Sequence, residues 1–97
     1  QNNVVRNDET TQIGRNRTEK VGKSESISIG ENLTVKVTQA SQKKAKSIMI
    51  EAADVITFKV GGSSIELTSS GIVVKATTVD VKGNAMVMIK GGLTKVN

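Results

Sequence analysis

The constraint that governs this chain is a beat of eight residues. In "TQIGRNRTEKVGKSESISIGENLT", residues 11 to 34, the pairs Ile13-Gly14, Val21-Gly22 and Ile29-Gly30 follow one another at intervals of eight, and the series extends back to Val5 and on to Val37. The residue after each anchor reads Arg6, Gly14, Gly22, Gly30, Thr38. Three residues past each come Asp8, Asn16, Ser24, Asn32 and Ala40. Each unit is thus a short alternating strand followed by turn chemistry. Gly tolerates positive φ, and Asn and Ser bond their own backbone at a bend. β-branched anchors and recurrent Gly, Asn and Ser disfavour a helix.

Alternation assigns the faces. With the anchor pointing inward, the residue two before it does the same: Asn3, Thr11, Glu19, Ile27 and Val35, while Val4, Gln12, Lys20, Ser28 and Lys36 face out. Each octad therefore offers one or two apolar side chains to an interior. That is too little for one chain to wrap a core of its own. Composition sharpens the shortage: among 97 residues there is one Phe, no Trp and no Tyr, and 36% are hydrophobic. A monomer of this size depends on aromatics and large aliphatics to bury enough surface. Val, Ile, Thr and Ser at fixed spacing disfavour disorder. Three identical chains winding together, each supplying one face of a narrow shared core, would meet the deficit.

The second half keeps the alternation at a different rhythm. Ile48-x-Ile50, Ile56-x-Phe58-x-Val60, Ile65-x-Leu67, Ile72-x-Val74, Val79-x-Val81 and Met86-x-Met88 read as successive strands, separated by Asp54, Gly61-Gly62-Ser63-Ser64, residues 68–71, Thr77-Thr78 and Gly83-Asn84. Three regions are expected: regular octads over 1–38, an irregular loop or register change over 39–47, and a β-prism continuation with a C-terminal tip over 48–97. The expected inward anchors are Ile13, Val21, Ile29, Val37, Ile50, Phe58, Ile65, Ile72 and Val81.

Much chemistry is excluded on residue type. Zero Cys removes disulfides and thiolate sites, and zero His removes the usual general base and the commonest metal ligand. No catalytic residue, cofactor or metal site is expected. The Gly61–Ser64 run lacks the Gly-Lys-Ser/Thr of a phosphate cradle, and calcium-binding solenoid order is absent. Asn16-Arg17-Thr18 and Asn32-Leu33-Thr34 fit the glycosylation sequon only because the octad generates them. The net charge of +5 is spread thinly: residues 1–47 carry nine Lys/Arg against five Asp/Glu, and 48–97 carry five against four. Only Lys43, Lys44 and Lys46 cluster, with no aromatics for base stacking, so nucleic acid is not an expected partner. No apolar run of spanning length and no signal peptide is visible. The chain opens in mid-pattern, as expected of a fragment.

Three segments taken in order, "IGRNRTEKVGKSESISIGENLTVKV", "IEAADVITFKVGGSSIELTSSGIVVKA" and "AMVMIKGGLTKVN", resemble the C-terminal spike of VgrG proteins of the bacterial type VI secretion system, and the related spikes of contractile phage tails. The resemblance covers nearly the whole chain. It implies an all-β, intertwined homotrimer: a triple-stranded β-helix, or β-prism needle, whose full chain begins with baseplate-like domains. It implies a non-enzymatic role as a membrane-puncturing spike at the end of the secretion tube, with a PAAR-repeat protein docked on its tip and effectors carried there. It further implies assembly in the bacterial cytoplasm and secretion into the medium or a target cell without a signal peptide. About a dozen strands per chain, each advancing the axis by about 5 Å, would give a rod on the order of 60 Å. The iron-tipped variant of phage spikes uses His-x-His, which this chain lacks.

Two local features carry separate expectations. In "NAMVMIKGGLTKVN" both parities are apolar at Met86, Val87, Met88 and Ile89, which with Leu93 marks this end for tip docking or, alternatively, for a last strand capping the trimer. No effector domain is read behind Asn97. Glu19 sits at inward parity, where three copies would form an axial cation or water site, unless it lies at a turn and reaches solvent or Arg17 of a neighbour. The competing readings of the whole chain are a trimeric stalk of a phage tail fibre or adhesin, which should lead into a receptor-binding head, and a monomeric β-solenoid, which needs a larger core.

Overall fold

The computed structural model describes residues 7–97, so the first anchor, Val5, lies outside the described residues. The chain divides into two units, Gln1–Ser41 and Gln42–Asn97.

In the described part of the first unit the backbone runs extended between regular bends. They fall at Gly14-Arg15, Gly22-Lys23, Gly30-Glu31 and Thr38-Gln39, each eight residues after the last and each beginning immediately after an anchor. The anchors are the more protected apolar side chains: Ile13, Val21, Ile29 and Val37 are 46–50% exposed, against 68–75% for Ile27, Leu33 and Val35. A nearly constant value over four anchors shows one local environment repeated four times. Among the described residues no octad pairs with another as a ladder. The spacing alone does not decide this, since the second unit bends at the same interval and closes a ladder; the described first-unit glycines lack the positive φ that folds a hairpin back at Gly61, so the extended backbone keeps its donors and acceptors free.

The second unit contains the only three strands among the described residues: β1 (Val55–Val60), β2 (Ser63–Thr68) and β3 (Ile72–Lys75), in an antiparallel meander of order β1-β2-β3. The expected strands at 56–60, 65–67 and 72–74 lie within them, whereas Ile48-x-Ile50, Val79-x-Val81 and Met86-x-Met88 form none. Gly61-Gly62 joins β1 to β2 with Val60 opposite Ser63. Gly61 has φ +55° and is the only described residue in the left-handed region. A positive φ at the first central position alone marks a type II′ hairpin, whose twist matches that of the flanking strands. Thr68 closes the second turn twice over: its N–H and its hydroxyl both donate to the Gly71 carbonyl, at 2.9 and 3.3 Å, and its Oγ1 accepts from the Ser70 N–H at 3.3 Å. This is a Ser/Thr turn fixing the β2–β3 register.

The beat continues through the unit. Bends at Lys46, Ala53-Asp54, Gly61-Gly62, Ser69-Ser70, Thr77, Asn84-Ala85 and Gly92-Leu93 lie seven or eight residues apart, and the first of them follows Thr38-Gln39 at the same interval. Ala45 occupies the anchor place before Lys46, eight residues after Val37. All-β character without a helix is thus established for the described residues.

Candidate functional site

The register of the meander sorts its side chains. Directly opposed residues in antiparallel strands share a face, so Ile56, Leu67 and Ile72 form one row and Phe58, Ile65 and Val74 the next, with Val60 opposite Ser63 beyond them. Seven of these eight residues are apolar. The opposite face carries Val55 with Thr68, Thr57 with Glu66 and Val73, and Lys59 with Ser64 and Lys75. This is the division of a sheet meant to be wet on one side and covered on the other.

The described chain covers the apolar side only at one end, where Ile56 and Leu67 are half-buried. Phe58 is 53% exposed and Val60 82%, and no described residue is buried. The chain's surface of 11249 Å² is about twice the ~5,300 Å² expected of a compact 10 kDa protein. Segments of the same unit reach only the rims of the face. Ala76 and Val79 approach Phe58, Val60, Ile65 and Val74 around a shallow concavity of about 300 Å³. Ile50 and Ala53 do the same at the other end, against Ile56 and Leu67, around about 270 Å³. Apart from the ladder and the Thr68–Gly71 turn, no other backbone–backbone hydrogen bond is formed among the described residues.

Of the expected inward anchors, the sheet brings Phe58, Ile65 and Ile72 onto one face, and Ile50 lies at its rim. Val81 borders neither concavity. Ile13, Val21, Ile29 and Val37 occupy the first unit, each just ahead of a bend. The face also recruits Ile56, Val60, Leu67 and Val74, which the expected anchor set omits. Their signal was the strict alternation within each strand, which places every second residue on the same side.

The C-terminal segment is exposed throughout, and one side chain in it differs. Met86, Met88, Ile89 and Leu93 stand free, while Val87, at 48% exposure, turns back toward Gly83. Gly83 is required there: a Cβ would clash with the Met86 carbonyl oxygen and lie 3.1 Å from Val87 Cγ2. The segment 83–87 is therefore a tight turn closed on a glycine. Gly83→Ala is expected to cost about 1–3 kcal/mol and to lower Tm by about 4–8 °C or more. Gly92→Ala, with nothing within 4 Å of its Cβ, is the matched control. Thermal unfolding followed by circular dichroism reads the pair, and equal shifts would remove the special place of Gly83.

Within its own chain Glu19 reaches solvent and pairs with Arg17. Its Oε1 lies 3.4 Å from Nη2 of Arg17 in the same chain, with both side chains more than half exposed. Residues two apart on an extended strand share a face, which brings the pair together without a neighbour. Such an exposed pair contributes about 0–1 kcal/mol. Among the described residues no cluster of His, Cys, Asp or Glu has the geometry to hold a metal ion, and no helix is long and apolar enough to cross a membrane. Comparison of the chain with protein-family models, curated proteins and solved structures finds no match.

Proposed function

We propose that this chain is one strand of a homotrimeric, non-enzymatic needle: the C-terminal part of a VgrG-type spike that punctures a target membrane mechanically. In this reading three chains close a triple-stranded β-helix, the secretion tube and effectors attach through the full-length protein, and a PAAR-repeat protein docks on the end formed by Met86, Val87, Met88, Ile89 and Leu93. Assembly would take place in the bacterial cytoplasm, with export through the contractile apparatus rather than by a signal peptide. The observation that carries the proposal is the uncovered apolar face at residues 56–74, in a chain with no buried side chain among those described. Seven aligned aliphatic and aromatic side chains in water are an aggregation hazard unless partners cover them, and both edge strands of the sheet are open as well. Symmetric copies provide cover and edge pairing together.

The regular bends add support from the first unit. Extended segments of six residues between two-residue bends suit a prism with narrow sides, and the half-exposed anchors point to a seam still to be closed. A trimeric stalk of a tail fibre or adhesin shares these features. Light scattering tests the assembly: the chain is expected to run at about three times its mass of 10.2 kDa. A monomeric mass would end both the spike and the stalk readings. A PAAR-repeat protein then separates them, since a stalk has no reason to bind one at its C-terminal end.

A further inference from the structure

We infer that the 55–75 meander is where copies of the chain first meet: it folds within one chain, and its apolar face is the surface on which the other copies nucleate. The inference rests on the homotrimer proposed above and adds an order of events to it. Three observations carry it. The meander is the only ladder that the described residues close internally. Both its connections are local, a two-residue hairpin at Gly61-Gly62 and a turn locked by three Thr68 hydrogen bonds, so it forms at small loop-closure cost. Elsewhere the described backbone has no internal partner, so in the proposed trimer an octad would gain its ladder only after a second chain is in place.

The occupant of the face is a second copy of this chain. The chain exposes on the order of 6,000 Å² beyond what a compact protein of its mass would, more than the 1,000–2,500 Å² per partner that obligate assemblies commonly bury. A single small partner would leave most of that surface in water. The face itself bears no charge, because Lys59, Glu66 and Lys75 all lie on the other side, so like copies meet there without repulsion.

Pulsed hydrogen exchange during refolding of the full 97-residue chain, with light scattering in parallel, tests the order. Amides of 55–60, 63–68 and 72–75 are expected to gain protection before mass increases, and amides of 13–37 only as it does. Gly61→Ala is the matching variant. A Cβ at Gly61 meets nothing within 4 Å, so the change acts through the +55° φ alone. It is expected to slow assembly about tenfold, with dissociation changed less than about twofold, whereas Val21→Ala should speed dissociation and leave the assembly rate nearly unchanged. Protection of 13–37 first or together with 55–75, or a Gly61→Ala chain that assembles at the normal rate, overturns the nucleus and leaves the trimer standing. A chain that stays at monomer mass overturns both.

Discussion

A chain carrying Ile65→Asp is expected to lose its assembled mass and run as a 10.2 kDa species. Ile65 is at the centre of the uncovered face, on the middle strand, with Phe58 on one side and Val74 on the other. At 42% exposure it keeps a large apolar surface in water, which a partner chain seated on the face would cover. Replacing it forfeits about 1.5–3 kcal/mol of burial in each chain, and the carboxylate adds a desolvation cost of several kcal/mol. In a trimer both are incurred three times, around one axis, with like charges facing one another. The control is Glu66→Gln, one residue along and on the opposite face, which should leave the mass unchanged. An Ile65→Asp chain that keeps three times the monomer mass would show that copies meet elsewhere.

The second large effect concerns the C-terminal end. Met88→Lys is expected to weaken binding of a PAAR-repeat protein by about tenfold or more, as for a charge placed in a desolvated contact. Met88 projects into solvent beside Met86 and Ile89, and no described contact of its own chain depends on it. The assembled mass should therefore survive the change. Calorimetric titration of the variant and the unmodified protein gives the comparison, and equal affinity would mean that this end caps the trimer instead of docking a partner. Val87→Lys is a poorer probe of docking, because Val87 packs toward Gly83 and its loss would also disturb the turn.

Where the chain's own residues decide an element, the sequence was a sufficient guide. Ile56-x-Phe58-x-Val60, Ile65-x-Leu67 and Ile72-x-Val74 keep one parity apolar, with Val55 and Val73 the only apolar residues on the other, and Gly61-Gly62 supplies the one left-handed position that the hairpin needs. All three strands follow from that. Alternation alone could not say that Ile48, Val79 and Met86 would stay outside any ladder, because a strand also needs a partner edge and none of the described residues supplies one. Nor does it reveal the beat running through Lys46: Ala45 and Lys46 fill the places of Val and Gly, and neither residue type signals a corner. The close approach of Met86 to Gly83 was hidden for a different reason. Gly83-Asn84 reads as an ordinary turn, and which carbonyl folds over the glycine is a matter of backbone path. The Arg17–Glu19 pair within one chain follows from the same parity that points both residues to one side, because residues two apart on an extended strand are neighbours.

The eight-residue spacing of the bends in the first unit has a consequence for length. Eight is even, so deleting or duplicating one whole unit, such as residues 14–21, leaves every later side chain on its original side of the strand. Removing seven or nine would turn all of them over. A chain built on an even period can be made longer or shorter in discrete steps without changing which side chains share a face. In the proposed needle, reach would then be set by counting units, independent of the chemistry of either end.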